Sequence, residues 1–330
     1  MQIRPFTPDD LSGVMRIWNE SVAAGEVVYK PLTEAYFADK FLGSSGYFPE
    51  LSLVAEQDGQ VVGYINGTMK REFLPKETHE NTPGYLTVIF VDQAHRRQGI
   101  GSALLSALLD AMKAAGKSAV MCIESNPLQL DWIVPGTAGH DHNKAPGMDV
   151  DCPGYAFLLA KGFTDVHREV AMYLDLADYA ESPKIPELRE KLLAEGICTG
   201  RYDVSLGYDF DRMCDRVGSE YWRKVLQDET AAADPRVILV ATEGDHIVAF
   251  TGPVDKQESG RGWFTGICTD PEYEKRGIAS VLFNFLMQEF IAIGATFSTL
   301  FTGDDNHAQR LYLRTGFDVV RKFAIMGRDI

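Results

Sequence analysis

Arg96-Arg97-Gln98-Gly99-Ile100-Gly101 lies between the apolar run 85–91 and a stretch with leucines at helical spacing, and Glu274-Lys275-Arg276-Gly277-Ile278-Ala279 repeats the pattern. A glycine-spaced turn where a strand gives way to a helix can hold an anion. Glycine at 99 and 101 lets the backbone approach a ligand, and the first amides of the following helix have no partner within it. Arg96, Arg97 and Gln98 add charge and hydrogen-bond donors suited to a pyrophosphate. In the second turn Lys275, Arg276, Gly277 and Ala279 remain suitable, whereas Glu274 puts a carboxylate where phosphate would lie. An ordinary strand-to-helix turn is the competing reading for both.

The elements that must position these turns occur twice. Leu53-Val54-Ala55 recurs as Leu239-Val240-Ala241, Gly99-Ile100 as Gly277-Ile278, and Gly162-Phe163 as Gly316-Phe317. Three matches in one order indicate a duplicated domain. The spacing makes the first copy longer both before its glycine turn and after it, and the later excess falls between Asn126 and Pro153. Hairpins are predicted over 51–68, around Asp58-Gly59, and over 236–251. Strands over 85–91 and 263–268 feed the turns. Helices over 102–115 and 280–293 stop at Gly116 and Gly294, strands follow over 117–124 and 295–302, and short helices end at the two Gly-Phe pairs. Thr7 is the expected N-cap of a helix over 11–21. Strand, crossover helix and strand imply one parallel pair per copy. The expected division is 1–176 and 177–330.

Composition narrows the partners. With 32 basic and 47 acidic residues the net charge is −15. Such a surface repels nucleic acid and anionic membranes and suits an amine-bearing partner. Five scattered cysteines give no disulfide framework, and neither an apolar leader nor a run long enough to span a bilayer is visible, so the expected setting is cytoplasmic. Self-association into a homo-oligomer is left open.

The order strand, [Gln/Arg]-x-x-Gly-x-[Gly/Ala], helix, strand, then Asn306-His307-Ala308-Gln309-Arg310-Leu311-Tyr312-Leu313-Arg314-Thr315-Gly316-Phe317 resembles the GCN5-related N-acetyltransferase (GNAT) superfamily, here as two tandem domains covering nearly the whole chain. The resemblance implies an α/β (α+β) fold in which each domain is a mixed, mostly antiparallel twisted sheet flanked by helices. It implies acetyl-CoA as co-substrate and a small-molecule or peptide amine as acceptor, attacked directly in a ternary complex. The turn residues above, Ile100 included, then hold the cofactor, joined by Asn306. Amides near Phe90 and Val91, or Cys268 and Thr269, polarise the thioester carbonyl. Tyr312 matches the family's acid. Aligned on Gly-Phe, that position in the first copy is Leu158, with Tyr155 three residues early. Either the second domain is the catalyst, the reading favoured by Tyr312, or the first works without the tyrosine and its longer segment completes the site. A non-catalytic acyl-CoA-binding or sensing protein is the alternative of another class.

Glu124, at the end of its strand, is the candidate base of the first copy; a structural carboxylate is the competing reading. Glu72 invites the same two readings; Asp304 and Asp305 of the second copy are placed either to attract an amine or to cap their Asp-Asp-Asn turn. The excess segment 127–152 reads as a solvated loop or a lid over the acceptor. His140, Asp141, His142, Asp149, Asp151 and Cys152 in it lack a metal-ligand spacing, so no metal is expected.

Overall fold

A computed structural model describes residues 1–206 and 210–330. These form two compact units, Met1–Ala171 with Val320–Ile330, and Met172–Val319.

In the first unit Gln2–Pro5, Ser52–Gln57, Gln60–Thr68 and Gly84–Val91 form successive antiparallel neighbours. Asp58 and Gly59 close the hairpin, both at positive φ, as the primed turn requires. The helix Ile100–Ala114 then crosses over, and Ala119–Cys122 returns parallel to the cleft strand Gly84–Val91. Leu104, Leu105, Leu108 and Met112 bury one helix face against Leu53, Val62, Ile65 and Leu86. Gly116 N donates to Lys113 O and Lys117 N to Met112 O, with Gly116 left-handed at φ +83°, so the glycine ends the helix in a Schellman motif. The other sheet face packs on Val14, Ile17 and Trp18 of the helix Leu11–Ala23, with Phe37 and Phe41. Thr7 caps the short 3-10 turn Pro8–Asp10 rather than that helix, whose N-cap is Asp10, and its N and Oγ1 both donate to Asp10 Oδ2.

Two expectations change here. The final strand, Asp318–Asp329, does not stay with the second unit: Met326 pairs with Cys122 and Asp329 with Ala119, antiparallel. The reason is the edge of Ala119–Cys122, whose unpaired backbone groups this strand satisfies. The division 1–176 and 177–330 is therefore redrawn, Val320–Ile330 completing the first unit and Met172 beginning the second. The segment 127–152 is also no bare loop. Trp132–Ile133 pairs with Asp141–His142, and Met148–Asp149 pairs with Phe323 and Ala324 of the final strand. Leu128, Leu130, Trp132 and Val134 are buried, which supplies the apolar area that holds a long insertion in place.

The second unit repeats the antiparallel series as Ile197–Arg201, Leu239–Glu243, His246–Gly252 and Gly266–Thr269. The strand expected over 263–268 is split. Arg261–Trp263 pairs in parallel with Phe297–Gly303, and Gly266–Thr269 pairs with His246–Gly252 instead. The crossover helix Ile278–Ala292 buries Val281, Leu282, Leu286 and Phe290. A helix that the sequence reading did not foresee, Lys184–Ala194, packs against it and against Ile197–Arg201.

Candidate active site

The cleft strand and Ala119–Cys122 pair only at Gly84↔Val120 and Tyr85↔Met121. Beyond Tyr85 they part, and the cleft strand carries its later residues to the glycine turn. A cavity of about 520 Å³ fills this end of the first unit, walled by Val27, Ile89, Phe90, Val91, Arg97 and Gly99 among others.

Both turns share one backbone conformation. Arg97 and Lys275 each have φ +62°, Gly99 has +87° and Gly277 +95°. Left-handed residues in such a turn direct successive N–H groups inward, an anion-binding concavity. Gly99 O accepts the first helical bond, from Ala103 N, at 3.0 Å, which leaves the intervening N–H groups without helical partners. A Cβ on Gly99 would meet nothing within 4 Å, whereas one on Gly277 would lie 3.0 Å from Leu188 Cδ2. The second turn is thus covered on a side where the first is open.

Arg96 is placed differently from its expected role. Its Nη1 and Nη2 donate to Glu26 Oε1 and Oε2, both at 2.7 Å, and its Nε donates to Val91 O at 3.0 Å. The guanidinium holds the Glu26 carboxyl below the usual carboxylate range. It braces the cavity wall rather than presenting its charge to a phosphate. Gln98 bends back to Ala94 O, so Arg97, exposed at the cavity, and Lys161 in the same lining are the side-chain cations placed to meet an anion. In the second unit Lys275 is exposed and Arg276 stacks over Tyr273 at 5.0 Å.

The ladder decides which amides face the cleft. Asp92 N donates to Val62 O. Alternate residues of an antiparallel strand send their backbone groups to the same neighbour. Phe90, opposite Tyr64, therefore points its N–H at Gln60–Thr68, and Ile89 and Val91 turn theirs into the cleft. Of the expected pair, Val91 thus turns its N–H into the cleft and Phe90 does not, Ile89 doing so in its place, and the Phe90 ring packs on Trp18, centroids 4.8 Å apart. By the same alternation, Asp270 N to Val248 O aims the Cys268 N–H at His246–Gly252 and turns the Thr269 N–H away from it. Burial pushes the Cys268 thiol up to about 12, unsuited to a nucleophile.

Tyr312 is buried between Phe283 and Phe317, at 4.9 and 6.3 Å, and burial pushes its hydroxyl up to about 12. Asn306 spends its Oδ1 on Ala308 N at 2.8 Å, capping the turn before the last helix. In the first unit Leu158 is fully buried, and Tyr155 donates to Asp165 at 2.9 Å instead of facing the cavity. Glu124 is half-buried with Oε2 lacking a hydrogen-bond partner. Beside it stands a residue the sequence reading missed: burial first, then the Glu124 charge, raises the Glu169 carboxyl to about 7. Only its distance in sequence concealed it, since Glu169 comes from the strand Thr164–Asp175. The five cysteines are free, and among the described residues no cluster of potential metal ligands occurs and no helix is long and apolar enough to cross a membrane.

This geometry agrees with the comparisons. The acetyltransferase (GNAT) family profile matches residues 14–129 and 207–317. The chain belongs to the GNAT acetyltransferase family. Phosphinothricin N-acetyltransferase of Streptomyces viridochromogenes is 30% identical over 130 residues, 38% of this chain and 67% of that protein. Among solved structures, the GCN5-related glucosamine N-acetyltransferase region of a fungal multi-domain GH3 β-N-acetylglucosaminidase superposes with TM-score 0.70 at 18% identity over 99% of this chain, which spans 38% of that longer protein. A GCN5-related N-acetyltransferase from Sphaerobacter thermophilus gives 0.64 at 17% over 99% of this chain and 95% of its own. A tandem GNAT protein from the clavulanic acid biosynthesis pathway gives 0.56 at 12%, over 99% and 98%. The double GNAT architecture read from the repeats is thereby shown.

Proposed function

We propose that the first GNAT unit transfers the acetyl group of acetyl-CoA to a primary amine of a small molecule. The observation that carries this is one cavity of about 520 Å³ joining the open glycine turn to the cleft-facing residues Ile89 and Val91. The turn amides and Arg97 fit a pyrophosphate, and the Ile89 N–H fits a thioester carbonyl. In such a cleft the Ile89 amide stabilises the negative charge that grows on the carbonyl oxygen, an effect often worth about 3 kcal/mol. Acetyl-CoA supplies the activated acyl group; the protein orients it, and solvent or a nearby carboxylate takes the amine's proton. No first-unit tyrosine is required, because the thiolate can leave and take a proton from the N–H of the newly bonded nitrogen or from water.

Calorimetric titration with CoA, followed by thiol release from acetyl-CoA with phosphinothricin and a panel of primary amines, tests the reading. One strong site per chain and thiol release with at least one amine are expected. A chain that fails to bind CoA ends the proposal, and tight binding with silence across the panel replaces catalysis by sensing.

A further inference from the structure

A further cavity adjoins the first at Ile89. Of about 50 Å³, it shares Val27, Ile89, Phe90 and Gly154 with the first and adds Tyr29, Asp149 and Cys152 to its lining. About 10–15 Å³ of such space holds one water, so this cavity is large enough to admit the amino head of an acceptor. Asp149 is only 7% exposed. It is pinned by pairing with Phe323 and by Oδ1, which accepts Asp151 N at 3.0 Å. Oδ2 lies 3.3 Å from Arg321 Nε, an ion contact without hydrogen-bond geometry, since that Nε has no hydrogen-bond partner. One carboxylate oxygen therefore retains acceptor capacity in a cavity wall that also carries Ile89. Glu124 and Glu169 are absent from the lining of either cavity.

We propose that Asp149 is the carboxylate that receives the acceptor's ammonium in the first unit, holding the nitrogen beside the Ile89 amide and taking its proton. This rests on the acetyltransferase reading of the cleft. Asp149 removes one proton from the ammonium; the freed nitrogen bonds to the acetyl carbon, the carbon–sulfur bond breaks, and a second N–H proton goes to the thiolate. The products are the amide and the free thiol, and Asp149 then returns its proton to solvent. Burial raises the Asp149 carboxyl above its usual range, opposed by the Asp151 N–H and Arg321 and assisted by the Asp151 charge. Tyr29 and Cys152 also face it, and burial keeps both protonated near neutrality. A raised carboxyl is a better proton acceptor than an ordinary aspartate.

Asp149→Asn preserves volume and the oxygen that Asp151 N uses, and Asp149→Glu preserves charge. In the full chain loaded with CoA, n-butylammonium binding is read by calorimetry and transfer to phosphinothricin by thiol release. Asp149→Asn should keep CoA affinity within about twofold, weaken n-butylammonium at least about tenfold, and lower kcat/KM by about 100-fold with loss of the acid limb of its pH profile. Asp149→Glu should retain ammonium binding, which a purely structural role of Asp149 would not explain. Equal n-butylammonium affinity in wild type and Asp149→Asn, or none in wild type, overturns the assignment, as does a collapse of kcat/KM in Glu124→Gln with Asp149→Asn unaffected. Failure of wild type to bind CoA would instead sink the acetyltransferase reading itself.

Discussion

Gly99 separates the backbone from the steric contribution of the glycine turn. At φ +87° an L-residue pays about 1–2 kcal/mol for the left-handed conformation, and the open space around its Cβ direction means that alanine pays nothing more. Gly99→Ala should therefore melt about 2–8 °C lower, at about 2–4 °C per kcal/mol for a unit of this size. Gly99→Trp carries the same backbone cost and also projects an indole into the 520 Å³ cavity that Gly99 lines. Its CoA affinity should fall by at least about tenfold, or about 1.4 kcal/mol. Gly101 supplies the control. A Cβ there would sit 3.4 Å from Phe157 Cζ and 3.6 Å from Val91 Cγ2, ordinary contact, and its φ is not left-handed. Gly101→Ala should melt and bind CoA nearly as wild type, in keeping with Ala279 at the matching place in the second turn. Thermal melts and calorimetric titration read all three variants. A folded Gly99→Trp that binds CoA with wild-type affinity would refute the reasoning, and so would a larger penalty in Gly101→Ala than in Gly99→Ala.

Three other outcomes follow from named contacts. Glu26→Gln should cost about 1 kcal/mol at pH 7, a modest value because the pair with Arg96 is partly solvated. Since Arg96 depresses the folded Glu26 pKa, that stability is present above the unfolded value, about 4.3, and is lost as pH falls through the folded one; melts of the two proteins should converge only once the pH is below the folded value. Trp132→Ala, at a fully buried site, should cost about 3–5 kcal/mol in a denaturant titration, whereas a loss under 1 kcal/mol would return 127–152 to the status of a solvated loop. Tyr312→Phe should leave thiol release within about twofold of wild type if the first unit is the catalyst; a drop of about 100-fold would move catalysis to the second.

The turns were legible because their chemistry is local. Arg97 and Gly99 lie two residues apart, as do Lys275 and Gly277, and a strand-to-helix junction accommodates such spacing, so the left-handed backbone found at both turns is what the sequence implies. Side-chain destinations were not local. Arg96 looked like a phosphate ligand because nothing in its neighbourhood announces Glu26, 70 residues away, as the partner of its fork. Phe90 was misassigned for a subtler reason: hydrophobic alternation reports which way a side chain points, but the direction of its N–H depends on which neighbour the strand pairs with. The register opposite Gln60–Thr68 settles that, and it leaves the N–H groups of Ile89 and Val91, not that of Phe90, on the cleft side.

The insertion and the final strand failed together, and for a shared reason. Periodicity identifies 318–329 as a strand without naming the edge it joins. The same silence hid Met148–Asp149, a pair too short to register as a strand by itself. Phe323 and Ala324 supply its partners, and Met326 and Asp329 bind Cys122 and Ala119 a few residues further along the same strand. Residues distant in sequence thus fix Asp149 against the cavity, and shortening the chain before Val320 should remove that support. Such a truncation should weaken amine binding even where the glycine turn survives to hold CoA. If the truncated chain kept full affinity for n-butylammonium, the final strand would be an edge cover and nothing more.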